Sequence, residues 1–373
     1  MRQEFERCIK GIEDKRYRSF VEHKLADVLV LVMCCTLCGL DELKDFVAYG
    51  KANLCFLRET FGVKTIPSAS TLTRVLNMVD GERVAQAIMQ FMQELLGTDG
   101  DLVAFDGKTI CATAKGNREK LHIITALLTR NGVVLGQQTV DEKTNEIPTM
   151  QEMLPYLDLE GKVVTADAMH CQRETSRLVR EQGGDYIWGL KANQAALHDD
   201  VSLYMDDRIA DSHIEMDTHT TVEKNAGRME RRTCYKTPTL DWLPVRSDWA
   251  GLSCAFAIDR TTQTLAGTQV ERSYYISSLD APASELLRMT REHWKIEALH
   301  WQLDVTFSED ACRVLSANGQ KTLNIFRKLA LALHKNYINA TVATKTKPSV
   351  RSHISGSFES AAALWAFRWR VIL

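Results

Sequence analysis

Three carboxylates in this 373-residue chain stand where an acid is costly to place and chemically useful once placed. Asp106 ends the apolar run Leu102-Val103-Ala104-Phe105 and is followed by Gly107-Lys108. Asp167 ends a second run, Val163-Val164-Thr165-Ala166, and is followed by Ala168-Met169-His170. Glu297 lies in the stretch Arg291 to Trp301, REHWKIEALHW, whose periodicity is helical. A carboxylate at the end of a buried strand is desolvated on one side and held rigidly by the sheet. That is a poor place for a lone charge and a good one for a ligand to a hard cation. Two such aspartates with a helix-borne glutamate make a set for two divalent cations and for phosphoryl transfer. Each acid also has an ordinary alternative. Asp106-Gly107 reads as a turn after a strand, Asp167 as a cap on the helix Gln172–Gln182, and Glu297 as part of a solvated stripe.

The elements that must position these acids follow from apolar spacing. On a helix beginning near Ser284, residues 293, 297, 300 and 304 share one face, while Met289, Ile296, Leu299 and Leu303 fall about a quarter turn away and go to the core. Glu297 therefore shares its face with His293, His300 and Asp304, with Trp294 and Trp301 beside it as candidates to line a cleft or partner surface. Residues 1–98 read as helical, including the apolar stretch Leu25 to Leu40 and a helix entered through Pro67-Ser68. Strand-like runs begin at Leu102 and continue at Leu121–Leu128 and Val133–Thr139, with the hairpin signal Asn131-Gly132 between the latter two. Strand, hairpin, helix, strand, helix, strand is the order of an RNase H-like mixed sheet, with Asp106 on its first strand and Asp167 on its fourth.

The expected class is thus α/β: an all-helical N-terminal domain (1–98), then an RNase H-like catalytic domain (99–340). A β-rich insertion at about 213–279 separates Asp167 from Glu297, and a tail (341–373) follows.

A hydrophobic fraction of 45%, a charged fraction of 25% and a net charge of −2 describe an ordinary globular protein and announce no nucleic acid. Only a local basic stripe could do that. The ten cysteines show no framework, and the single pair Cys35/Cys38 lies in an apolar helical run, which favours buried thiols in a reducing cytosol. No secretion signal and no comfortable membrane span are read, so the expected location is cytoplasmic.

Several segments resemble the DDE transposases of bacterial insertion sequences, of the H-repeat-associated type. They are Phe105-Asp106-Gly107-Lys108-Thr109, the run Thr165 to Gln172, the run Tyr186 to Gln194, and Arg291 to Arg313, REHWKIEALHWQLDVTFSEDACR. Asp14-Lys15-Arg16, His23-Lys24-Leu25, Gly39 and Ile66-Pro67-Ser68 are similar to that family's helical opening, so the likeness covers roughly residues 8 to 340. It implies that Asp106, Asp167 and Glu297 form a catalytic triad binding two Mg²⁺ ions, with Mn²⁺ able to substitute. It also implies double-stranded DNA as partner, a homodimer when two ends are synapsed, and association with the nucleoid.

Such chemistry hydrolyses phosphodiesters at the element's ends and joins the freed 3′-hydroxyls to target DNA, with two metals about 3.5–4 Å apart. Phosphate tracking needs local positive charge. The candidates are Lys108, Lys191 and Asn193 near the sheet end, Lys224, Arg228, Arg231 and Arg232 in the insertion, and Lys321, Arg327 and Lys328 on the last helices. His293, Trp294 and His300 on the Glu297 helix complete the set. Two rivals remain: a non-transposing remnant that binds DNA without cleavage, and a nuclease of the same fold that does not join strands.

Overall fold

Six helices open the chain: α1 (Arg2–Ile9), α2 (Leu25–Leu37), α3 (Leu43–Ala52), α4 (Leu54–Phe61), α5 (Ala69–Met78) and α6 (Gly81–Leu96). The computed structural model describes residues 2–111, 120–141, 145–211, 213, 215–225, 228–237, 239–265 and 267–341. The expected tail lies, beyond Thr341, outside the described residues. A helix apolar around its whole circumference has no face to offer water. Accordingly α2 is buried at every position from Val28 to Leu37. Its thiols are free, and burial pushes those of Cys35 and Cys38 up. Among the described residues no helix is long and apolar enough to cross a membrane.

Helix α5 starts where the hydroxyl run placed it: Ser68 Oγ accepts the Thr71 amide, and Leu72, Val75, Leu76 and Val79 are buried. The Asp80 carboxylate caps α6 by accepting the amides of Glu82 and Arg83 at 3.1 and 3.2 Å. These are two of the four amides a helix start leaves without an intrahelical partner. Replacing Asp80 by Ala is expected to cost about 1 kcal/mol in urea denaturation; an unchanged midpoint would show the cap to be dispensable.

The strands are β1 (Leu102–Ile110), β2 (Leu121–Leu128), β3 (Val133–Thr139), β4 (Val163–Ala166), β5 (Asp185–Gly189), β6 (Asp217–Asn225), β7 (Arg228–Lys236), β8 (Cys254–Thr264) and β9 (Gly267–Ser277). Between and after them run α7 (Glu146–Met153), α8 (Arg173–Glu181), α9 (Ala195–Ala210), α10 (Ala283–Phe307) and α11 (Ala317–Thr341). The sheet order is β3-β2-β1-β4-β5-β9-β8-β7-β6. Pairing is parallel for β1 with β4 and β4 with β5, and antiparallel for β2 with β3 and from β5 through β9, β8, β7 to β6. Asn131-Gly132 makes the expected hairpin turn. Asn131 Oδ1 accepts the Val133 amide, and Gly132 sits at φ +78°, where a side chain would be strained.

The residues expected as a β insertion form β6–β9, and β9 pairs with β5 through Ile187, Trp188 and Gly189. They extend the sheet rather than folding on one of their own, because β5 would otherwise leave an apolar edge unpaired.

The chain divides into two units, and both β1 and α10 run through the points of division. The first unit holds residues 1–99, 107–140 and 297–373; in it α11 packs on α2, α5 and α6, and α6 packs on β3. The second holds 100–106 and 141–296, with a core that includes Leu102, Val163, Ile187, Phe256, Ile258, Leu286 and Leu287.

Candidate active site

Strand register makes the two aspartates neighbours. The parallel pairing of β1 with β4 sets Phe105 opposite Ala166. The next residues, Asp106 within β1 and Asp167 just past β4, therefore follow adjacent positions on strands about 4.8 Å apart. The turn reading of Asp106-Gly107 fails, because β1 runs on through both to Ile110. The cap reading of Asp167 fails as well: α8 begins at Arg173 with Gln172 before it, and the Asp167 side chain caps no amide. Asp167 instead enters a short 3₁₀ turn, Ala168–His170, with its side chain 65% exposed.

That turn is braced from outside. Asn193 Nδ2 donates to the Ala168 carbonyl at 2.7 Å, and Gln194 Nε2 donates to the Cys171 carbonyl at 2.9 Å. Asn193 was expected at DNA; its amide holds the Asp167 loop. Lys191, two residues earlier, is exposed.

One imidazole joins the pair. His293 on α10 lies with Nδ1 3.0 Å from Thr165 Oγ1 and Nε2 4.0 Å from Asp167 Oδ1. Burial lowers its pKa, opposed by the charges of Asp167 and Asp106 and reinforced by His170, so the ring is neutral at pH 7. Sequence reasoning set His293 among DNA contacts and gave Thr165 and His170 no role. His170 is buried, with Nε2 3.3 Å from Glu146 Oε2. The available signal was position: Thr165 and Asp167 lie two apart at the end of one strand and so face the same side.

Helix α10 spans the predicted stretch, and Met289, Ile296, Leu299 and Leu303 are buried as expected. Glu297 is exposed, one turn after His293. Trp294 is 58% exposed and lines a cavity of about 350 Å³ with Arg232, Arg260, Tyr275 and Arg291. His300 is half-buried.

The basic candidates separate into two groups. Lys224, Arg228 and Arg231 are exposed on β6 and β7. Arg232 is tied to Glu230, with Glu223 at 3.6 Å, while Arg291 holds Glu223 by two hydrogen bonds. In the first unit, Lys321 Nζ pairs with Glu82 at 2.8 Å.

Arg327 and Lys328 correct the expectation of a DNA-facing basic group, being 2% and 1% exposed. Arg327 Nη1 donates to the buried Glu309 carboxylate at 3.1 Å, and Lys328 Nζ donates to Thr125 Oγ1 at 2.8 Å and Gln137 Oε1 at 2.9 Å. Consecutive cations on a surface helix would be solvated. Here partners on β2, β3 and at residue 309 make burial tolerable. Lys108 is likewise enclosed: Nζ lies 2.8 and 2.9 Å from the Asp304 oxygens, 3.8 Å from Glu309 and 3.9 Å from Asp310.

Burial pushes Lys328 down to about 7, with Glu309 opposing and Lys108 reinforcing. An unfolded lysine titrates near 10.4. Between about pH 7 and 10.4 the unfolded chain therefore binds the extra proton, so this group makes stability rise with pH in that window, and its penalty is fully felt below 7. Stability measured relative to Lys328→Met is expected to rise by a few kcal/mol, in order of magnitude, from pH 7 to 10. Taking the difference cancels the buried thiols Cys171, Cys234 and Cys254, raised to about 12, whose contribution has the opposite sign. A flat difference would refute the assignment.

Among the described residues no three His, Cys, Asp or Glu side chains converge closely enough to hold a metal ion. The donor chemistry at Asp106 and Asp167, hard carboxylate oxygen, is nonetheless the kind that divalent cations take.

Comparison with known proteins gives the family. The family described as Transposase DDE domain matches residues 97–333, and its partner, described as DDE_Tnp_1-associated, matches residues 6–92. YncI of Escherichia coli O157:H7, a transposase by name, is 34% identical over 334 residues, 87% of this chain and 85% of its own. YhhI of Escherichia coli strain K12, an H repeat-associated transposase by name, is 31% identical over 338 residues, 88% of this chain and 89% of its own. A piggyBac transposase synaptic complex with hairpin DNA aligns over 95% of this chain and 76% of that one at 9% identity and a TM-score of 0.43, too distant to carry weight. With its two aspartates side by side and both family segments matched along its length, the chain belongs to the bacterial DDE transposases.

Proposed function

We propose that this protein hydrolyses phosphodiesters at the ends of an insertion element and joins the freed 3′-hydroxyls to target DNA, with Asp106, Asp167 and Glu297 as the acids that hold Mg²⁺. The observation that carries this reading is the adjacency of Asp106 and Asp167 at neighbouring positions of parallel strands, with the half-buried imidazole of His293 on α10 4.0 Å from Asp167. The helical repeat sets Glu297 one turn beyond that imidazole. The core is read as RNase H-like, with Asp106 in β1 and Asp167 directly after β4.

The chain's own residues have separable tasks. Thr165 orients His293, and a neutral His293 adds no positive charge beside carboxylates meant for cations. Asn193 and Gln194 hold the Asp167 turn in place. Exposed Lys191, Lys224, Arg228 and Arg231 supply phosphate contacts, and Trp294 offers an aromatic face to a nucleotide. Bound Mg²⁺, or Mn²⁺ in its place, would supply an activated water or 3′-hydroxyl and neutralise the leaving oxygen. Two copies acting together would cut both ends, making a homodimer the working form.

The experiment is incubation of the wild-type protein with DNA carrying the element's own ends, in Mg²⁺, Mn²⁺ or EDTA. Metal-dependent nicking at the ends followed by joining is expected. End binding with no cleavage would overturn the enzyme in favour of a DNA-binding remnant, and cleavage without joining would leave a nuclease.

A further inference from the structure

Lys108 follows the first aspartate by two residues and invites the role of phosphate contact, yet its surroundings commit it elsewhere. The ammonium has three protons to donate. Both Asp304 oxygens lie within 2.9 Å of it, two more carboxylates within 3.9 Å, and the side chain is only 10% exposed. A second fastening lies beside it, where the Cys111 amide donates to Asp310 Oδ1 at 2.9 Å. The receiving segment is itself anchored, because Glu309 accepts from Asn324 and Arg327 of α11, each at 3.1 Å.

Spacing gives this arrangement its consequence. On β1, Lys108 lies two residues past Asp106, hence on the same side of the strand and about 6.6 Å along it. On α10, Asp304 lies seven residues past Glu297, hence on the same face and about 10.5 Å along it. We propose that the Lys108–Asp304 pair is a positioning clamp that fixes the second half of α10, with Glu297, against residues 107–110 of β1. Lys108 is then a positioning residue and not a DNA contact. This rests on the triad reading above.

The test uses full-length Lys108→Met, Lys108→Arg, Asp304→Asn and the Lys108→Met/Asp304→Asn pair, with Asp106→Ala as reference. Single-turnover cleavage of end DNA in Mg²⁺ is compared with DNA affinity across a salt series and with thermal melting. Lys108→Met and Asp304→Asn are each expected to slow cleavage by roughly tenfold to 100-fold, the scale of a misplacement of about 1 Å. The double variant should be no slower than the slower single one, because both remove the same contact. Lys108→Arg should recover most of the rate. DNA affinity and its salt dependence should stay at wild-type values.

A salt slope shallower by about one unit in Lys108→Met would make the residue a phosphate contact and overturn the clamp. So would wild-type cleavage by Lys108→Met where Asp106→Ala has none. Should Lys108→Met fail to fold, Asp304→Asn carries the same test, because the partly exposed Asn keeps the side chain's shape. A wild type that does not cleave, or an Asp106→Ala that does, overturns the triad reading itself and the clamp with it.

Discussion

Asp167→Asn is expected to lose Mg²⁺-dependent cleavage by on the order of 1,000-fold or more while folding and binding DNA as the wild type does. The argument has two parts. The carboxylate lies in a turn whose shape is held by Asn193 and Gln194, and its side chain is mostly in water, so replacing it with an isosteric amide removes no structural bond. Surface changes away from such features usually stay within about 0.5 kcal/mol. Charge stabilisation through a divalent ion is worth several kcal/mol in the transition state, and each 1.36 kcal/mol is tenfold in rate. Asp106→Asn and Glu297→Gln should share the loss. Retention of cleavage by any of the three, measured as single-turnover nicking with melting temperature and end affinity unchanged, would remove that residue from the triad.

Arg327→Ala is expected to act the other way, through stability. Arg327 and Glu309 are both fully enclosed, and the guanidinium stays charged because Glu309 and Cys312 offset the burial that would otherwise lower its pKa. Removing one partner leaves the Glu309 carboxylate buried without its main cation, a change that typically costs about 3–5 kcal/mol. The loss should appear as a lower urea midpoint with an unchanged slope, and Glu309→Ala should show a similar loss. Were Arg327 a DNA contact, Arg327→Ala would instead keep the midpoint and weaken DNA binding.

Particular residues show how much of this was legible beforehand. Local signals were strong where one short segment contains both cause and effect. Asn131-Gly132 between two apolar runs specifies its hairpin, Ser68 specifies the start of α5, and the quarter-turn offset of Met289, Ile296, Leu299 and Leu303 specifies the buried side of α10. The family was legible for the same reason, its motifs being contiguous strings. Charged side chains were another matter. Arg327 and Lys328 look like a solvated basic stripe until Glu309, Thr125 and Gln137 are brought to them from 18, 203 and 191 positions away. Lys108 looks like a phosphate ligand until Asp304, 196 positions later, brings both of its carboxylate oxygens to the ammonium. His293 looks like one of several polar residues on its helix until Thr165, 128 positions earlier, fixes its ring.

Sequence alone thus determined the strand that carries Asp106, the strand that Asp167 directly follows, the helix that carries Glu297, and the family. These follow from hydrophobic period and contiguous motif, both written locally in the chain. Tertiary structure alone decided that β1 runs on through Asp106-Gly107, that β6–β9 extend the sheet from β5, and which cations meet solvent. Those outcomes depend on long-range partners, and whether a buried charge is tolerable depends on the partner it finds and hardly at all on its neighbours in sequence.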